Sequence, residues 1–236
     1  YENEISRSMQ KDCKGKQVWF TRLHDTDNGA FLRKDGMLCM AEDGVVTPFL
    51  AQKDVKLRGL HNIENLLAAA AAVWGLVPVE AIQQVGSTFT GVEHRIEPVR
   101  TLDGVLYYND SIGTSPTRTI AGLRSFDQKI ILIAGGYDKK IPFDALGPEI
   151  CGHVRLLILC GATAEKIEAA VCAAPEYQPG QPEILHAATL AEAVQLAQAH
   201  SVPGDIVTLS PACAAFDQFK NFMVRGETYK RLVQAL

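Results

Sequence analysis

The hydrophobic pattern changes character part-way along the chain. Up to about residue 60, apolar positions come in short runs. Residues 17–23 alternate apolar and polar, as a half-buried strand does. Residues 30–33, 37–41 and 45–50 read as further short strands, separated by Asp35-Gly36 and Asp43-Gly44. Asp-Gly is a hairpin signal because both central turn residues need positive φ. The pattern predicts a small meander that adds to a sheet whose other strands lie outside this chain. Residues 61–75, HNIENLLAAAAAVWG, then predict a helix, with an Ala/Leu-rich body, Asn62 as N-cap and Gly75 as a stop. Residues 78–89 predict a second helix, with Pro78 near its start and Gly91 beyond its end.

A charged joint, GVEHR at 91–95, follows, and the change of composition puts a domain boundary at about Arg95, giving parts 1–95 and 96–236. Beyond it strands and helices alternate. Strands are predicted at 105–108, 130–134, 156–159, 184–185 and 206–210. Helices are predicted at 117–125, 144–150, 163–173 and 190–200, with one or two more within 216–236. This alternation argues for an α/β fold with a parallel sheet covered on both faces. Sites in such sheets lie at the carboxyl ends of the strands, and here the ends at 109–114, 135–139 and 210–222 carry the chemistry.

The stretch YYNDSIGTSP at 107–116 packs Asn109, Asp110, Ser111, Thr114 and Ser115 into one turn, and Pro116 opens a helix with Ser115 as its N-cap. Its ordinary reading is a capped βα-loop. Gly135-Gly136-Tyr137-Asp138-Lys139-Lys140 follows a buried strand; the glycines let a backbone approach a ligand, and a lysine behind them suits a carboxylate or phosphate. Neither G-x-x-x-x-G-K-[ST] nor G-x-G-x-x-G is matched. In SPACAAFD, at 210–217, small residues lead towards a helix whose free N–H groups suit an anion. Cys213 there reads better as a small buried thiol than as a nucleophile. Glu93-His94-Arg95 is either a solvated linker or part of an interdomain ligand cleft. The histidines follow no metal-ligand spacing and take surface or capping roles by default.

Bulk composition narrows the class. The 236 residues are 47% hydrophobic and 21% charged, an ordinary soluble balance with material for a sizeable core. A formal net charge of -4 argues against a nucleic-acid footprint. The longest apolar run, from Leu66 to Glu80, is too short for a membrane span. The 6 cysteines form no C-x-x-C pair and read as reduced thiols in a cytoplasmic protein. The chain opens on Tyr1 rather than Met, which fits a piece of a longer protein. From the residues alone the reading is a two-part α/β protein with an anion-friendly cleft.

HNIENLLAAAA, GVEHRIE, YYNDSIGTSP, LIAGGYDKKIPF and SPACAAFDQFKNFMVRG stand in the order and spacing of the Mur ligase family. The N-D-S-x-x-T-x-P and S-P-A-C-A-x-F-D-x-F-K-N-F blocks resemble the branch that adds D-glutamate. The resemblance implies a Rossmann-like C-terminal domain, preceded by the β-rich and helical last portion of an ATPase domain. It implies a full-length monomer with ATP, UDP-N-acetylmuramoyl-L-alanine and D-glutamate as ligands, and no nucleic acid or membrane partner. The implied reaction is an ATP-dependent amide synthesis through an acyl phosphate, with the amine held in line for attack. The phosphate loop, a carbamylated lysine and the magnesium ligands are expected outside this chain, so the fragment alone is expected to be inactive, with no residue here certainly catalytic.

By matched position, Asn65 and Arg95 would contact ATP and Asp110 its ribose. Lys139 and Thr114 would bind the D-glutamate side-chain carboxylate, with the Ala215–Phe216 backbone and Phe222 completing that pocket. Two positions depart from the family pattern: Ile112 stands where many members have Lys, and Ala215 where many have Ser. The alternatives are another ligase of the same architecture, such as a folate polyglutamylating one, and a non-catalytic module for a small acidic ligand.

Overall fold

The computed structural model describes residues 1–236. It divides into two compact units, Tyr1–Thr90 and Gly91–Leu236.

The first unit opens with a short helix α1 (Glu4–Ser8) and a 3₁₀ turn (Met9–Asp12) that the hydrophobic pattern does not announce. Four strands follow: β1 (Trp19–Thr21), β2 (Gly29–Leu32), β3 (Met37–Glu42) and β4 (Val45–Ala51). They lie side by side in chain order. β2–β3 and β3–β4 pair antiparallel, as a meander requires, but β1 runs parallel to β2. Asp43 and Gly44 both have positive φ, 52° and 77°, as their hairpin demands. At the other Asp-Gly only Gly36 does, because the loop is longer: Arg33 N–H closes it on the Met37 carbonyl at 2.8 Å.

Helix α2 (Leu60–Val73) and helix α3 (Val79–Thr88) complete this unit. Ile63, Leu67 and Ala70 share one face of α2 and pack with Leu38, Met40, Phe49 and Leu50 of the sheet. Asn62 is not the N-cap. The chain turns at Gly59, and Asn62 lies buried inside the first helical turn, where its Nδ2 donates to the Arg58 carbonyl at 2.7 Å.

The second unit is a 6-stranded sheet in the order β5-β6-β10-β7-β8-β9. Its strands are β5 (Glu97–Leu102), β6 (Val105–Asn109), β7 (Ile130–Ala134), β8 (Val154–Cys160), β9 (Glu183–Ala187) and β10 (Ile206–Leu209). All pair in parallel except the edge strand β5, which returns antiparallel along β6. β5 is absent from the sequence reading because Glu97-Pro98-Val99-Arg100 lacks a clean alternation; proline and charge are what an exposed edge tolerates.

Helices α4 (Pro116–Leu123), α5 (Leu146–His153) and α6 (Ala164–Cys172) place Leu123, Leu146, Ile150, Ile167 and Val171 in the core on one face of the sheet. Helices α7 (Leu190–Ala199) and α8 (Phe222–Gln234) supply Leu190, Val194, Tyr229 and Val233 to the core on the other. The middle strand β7 is buried at every position, which is why IILIA reads as a continuous apolar run. No helix is long and apolar enough to cross a membrane.

Candidate functional site

The carboxyl ends of β6, β10 and β7 are neighbours in the sheet, with Leu209 in register with both Asn109 and Ile133. The loops that leave them are laced together. Gly135 N–H donates to the Pro211 carbonyl at 2.9 Å, and Tyr137 N–H donates to the Ala214 carbonyl at 2.9 Å. Ser210 Oγ donates to Asp110 Oδ2 at 2.7 Å, and Ala212 N–H donates to Thr119 Oγ1 at 3.0 Å.

Arg225 of α8, to which the sequence reading gives no role, ties these loops from beneath. Its Nε donates to Ser111 Oγ at 3.0 Å, its Nη2 to the Ser111 and Cys213 carbonyls, and its Nη1 to the Ala214 carbonyl at 3.2 Å. The guanidinium is buried, and desolvation pulls its pKa down to about 10, so it remains a cation at neutral pH. Ser111 Oγ in turn donates to the Phe222 carbonyl at 2.8 Å.

Asp110 is buried as well. Ile96 N–H reaches its Oδ1 at 3.3 Å and the Ser210 hydroxyl reaches its Oδ2, yet desolvation outweighs both and raises its pKa to about 6. Lys139 is exposed in the loop after β7, and its ammonium meets no protein partner; the adjacent Asp138 is taken by Lys166 and by the Lys140 N–H. Thr114 is half-buried, and its hydroxyl makes no bond within the protein.

The helix expected just after Ser210 begins only at Phe222, capped by Asn221, whose side chain accepts from Val224 N–H. Ala215 and Phe216 therefore sit in a turn rather than at a helix start: the Ala215 carbonyl accepts from Gln218 and Phe219 N–H. The N–H groups of Ala215 and Phe216 are still left without a protein acceptor. The Phe216 ring, 65% exposed, meets Tyr137 edge-on at 5.9 Å. Phe222 is half-buried and meets His94 edge-on, also at 5.9 Å.

Ser115 does hold the N-cap position of α4, but its side chain makes no capping bond. Cys213 is a buried thiol with a pKa pushed up to about 11 by desolvation and its Sγ 3.1 Å from Thr163 Oγ1, which suits packing rather than nucleophilic work.

His94 departs from the surface role given to it. It is 5% exposed, and Asn109 Nδ2 approaches its Nδ1 at 2.9 Å. Its neighbour Arg95 is exposed. Asn65 belongs to the first unit, exposed on α2, with its Nδ2 donating to Asn62 Oδ1 at 3.1 Å. An open hollow of about 590 Å³ beside the β7 loop is lined by Asp138, Lys140, Ile141, Phe143, Lys166 and Ala169, and contains none of the expected site residues.

The fold has counterparts among solved structures. The chain is similar in fold to MurF from Acinetobacter baumannii, with 15% identity, 97% of this chain and 50% of that chain covered, and a TM-score of 0.64. It is likewise similar to Mycobacterium tuberculosis folylpolyglutamate synthase complexed with ADP, with 14% identity, 87% and 48% covered, and a TM-score of 0.59. Residues 94–213 match the model of the Mur ligase, glutamate ligase domain, and the chain belongs to the Mur ligase family. It is 48% identical to the UDP-N-acetylmuramoylalanine–D-glutamate ligase of Acetivibrio thermocellus, over 100% of this chain and 51% of that protein. It is 46% identical to the ligase of the same name from Clostridium kluyveri, over 98% and 50%. The chain thus spans about half the length of the curated relatives it matches.

Proposed function

We propose that this chain is the C-terminal part of an ATP-dependent amide ligase that adds D-glutamate to UDP-N-acetylmuramoyl-L-alanine, a cytoplasmic step in peptidoglycan precursor synthesis. The observation that carries the reading is the set of unspent donors on adjoining loops: the Lys139 ammonium, the Thr114 hydroxyl and the Ala215 and Phe216 N–H groups. A carboxylate accepts through about four lone-pair positions, and donors of this kind saturate them. Lys139 supplies the point charge, while Thr114 and the backbone supply direction. With Ala in place of Ser at 215, the backbone N–H serves there alone.

Phe216 and Phe222 would shield the aliphatic part of the amino acid. Held so, its amine is presented in one orientation to an acyl phosphate formed from the acceptor's carboxylate and ATP, and alignment is the chain's main contribution to rate. Asp110 has spare lone pairs for a ribose hydroxyl, and Arg95 and Asn65 would contact the nucleotide.

Magnesium is assigned to residues outside this chain. The donor atoms of Glu93, His94 and Glu227 do gather within 4.8 Å of one another, but the Lys230 ammonium already sits against Glu93 and Glu227 at 3.3 and 2.9 Å and supplies the positive charge there.

The test is to express the chain joined to its N-terminal half and to measure phosphate release with UDP-N-acetylmuramoyl-L-alanine and ATP. Release is expected to depend on D-glutamate, and Lys139→Met is expected to raise KM for D-glutamate by roughly tenfold or more. Equal turnover with L-alanine or L-lysine would reject the substrate. A folate substrate has only fold similarity behind it.

A further inference from the structure

The joint that carries Arg95 has an unusual backbone. His94 has φ +65° and Ile96 has φ +45°. A β-branched residue rarely occupies the left-handed region, because its Cβ crowds the neighbouring carbonyl. Such a conformation persists where surrounding bonds over-determine it.

Those bonds are present, and two of them meet on one carboxylate. Glu97 Oε2 accepts from His94 N–H at 2.9 Å and from Asn109 Nδ2 at 3.0 Å. The same Asn109 amide approaches His94 Nδ1 at 2.9 Å, which makes that nitrogen the acceptor and leaves the ring proton on Nε2. The His94 carbonyl accepts from Ile112 N–H at 3.1 Å, and Ile96 N–H goes to Asp110. The other oxygen of Glu97, Oε1, accepts from Lys230 Nζ at 3.2 Å.

Lys230 also bridges Glu93 at 3.3 Å and Glu227 at 2.9 Å. Its side chain is only 15% exposed and that of Glu97 20%, so solvent screens this pair less than an ordinary surface bridge. α8 comes close enough to do this because Gly226 faces the ring: a Cβ there would stand 2.3 Å from His94 Nδ1.

We propose that Lys230 is a positioning residue for nucleotide binding: by holding Glu97 it fixes the left-handed backbone at His94, next to Arg95, and so the direction in which the guanidinium is presented. The proposal rests on the assignment of Arg95 to ATP made above. Lys230 itself touches no substrate in this scheme. Its ammonium holds in place the carboxylate that accepts from both His94 and Asn109.

The experiment uses the full-length protein that contains this chain, with Lys230→Met, Lys230→Arg and Arg95→Ala. Lys230→Met is expected to speed amide exchange at His94 and Ile112 by about tenfold, with β7 and β8 amides unchanged. It is expected to raise KM for ATP by roughly fivefold to tenfold while KM for D-glutamate stays within about twofold. Lys230→Arg, which keeps the charge and the reach, restores both. Unchanged exchange at His94, or a uniform loss in exchange protection, melting temperature and both KM values, overturns the proposal. If Arg95→Ala leaves KM for ATP unaltered, the parent assignment of Arg95 fails, and the positioning role falls with it. The exchange measurement then still decides whether Lys230 holds the joint.

Discussion

Two hydroxyls in the second unit are buried without a partner, Thr208 Oγ1 and Tyr229 Oη. Each was desolvated on folding with nothing in return, a cost of about 1–3 kcal/mol per group. Tyr229 is fully buried in the same cluster as Tyr107, and desolvation raises its pKa well above the usual tyrosine range. Removing the oxygen while keeping the ring should therefore be neutral or stabilising. Tyr229→Phe is expected to change unfolding free energy by between zero and about +2 kcal/mol, read from exchange of β7 and β8 amides. A loss of about 1 kcal/mol or more would mean that the hydroxyl has a partner after all. Arg225 is the opposite case, a buried cation whose Nε and both terminal nitrogens donate to carbonyls and one hydroxyl. Nothing in MVRGET marks it as buried, since arginine on a terminal helix ordinarily lies in solvent. Only the approach of the 111 and 213–214 loops shows it as the tie between them.

At the scale of elements, the turn after β7 depends on Gly135. Its φ is +110°, and an added Cβ would fall 1.9 Å from the Cys160 carbonyl oxygen at the end of β8. Gly135→Ala must push the two strand ends apart or twist the loop that carries Lys139. It is expected to destabilise the second unit by on the order of 2–4 kcal/mol, checked by urea unfolding, and, on the function proposed above, to raise KM for D-glutamate. The Gly-Gly pair was legible as a place of close backbone approach, although the sequence could not say that the approaching group is the neighbouring strand. β7 was legible to the residue because a strand buried on both faces is uninterrupted apolar. β5 was not, because an edge strand need not alternate, although Asp103-Gly104 at its hairpin carries the same signal as Asp43-Gly44. The loop from Ser210 to Asn221 reads as a helix start from its small residues. The chain instead makes a single turn at Ala215, tied to the neighbouring loop by the Tyr137–Ala214 bridge, and the helix begins only at Phe222. His94 in its charged tripeptide looked solvated because its burial depends on Asn109 and Gly226, both distant in sequence.

Taken as a whole, the second unit keeps its stabilising core in the middle of the sheet and its unfavourable charges at one edge. Asp110 and Arg225 are both buried at the carboxyl edge, and neither forms a salt bridge with the other. That distribution is expected of a binding edge, where groups are retained for a ligand at some cost in stability. The cost at Asp110 can be measured through pH. Its pKa rises from an ordinary 3.8 to about 6 in the folded state, chiefly by desolvation. The folded state therefore binds more protons than the unfolded one between these values. The stability due to a neutral Asp110 is present in full below about pH 4 and is lost as pH rises through about 6, a difference on the order of 3 kcal/mol. Asp110→Asn keeps an acceptor for the Ser210 hydroxyl but cannot ionise. It should flatten the stability profile between pH 4 and 6 and, above pH 6, make the second unit more stable than the unaltered protein. Because both tryptophans, Trp19 and Trp74, belong to the first unit, their fluorescence serves as an internal control that should not shift. Amide exchange along β7 and β8 reports the second unit. If the pH slope of that exchange is the same in the Asp110→Asn variant as in the unaltered protein, burial of this carboxylate is not what the edge costs.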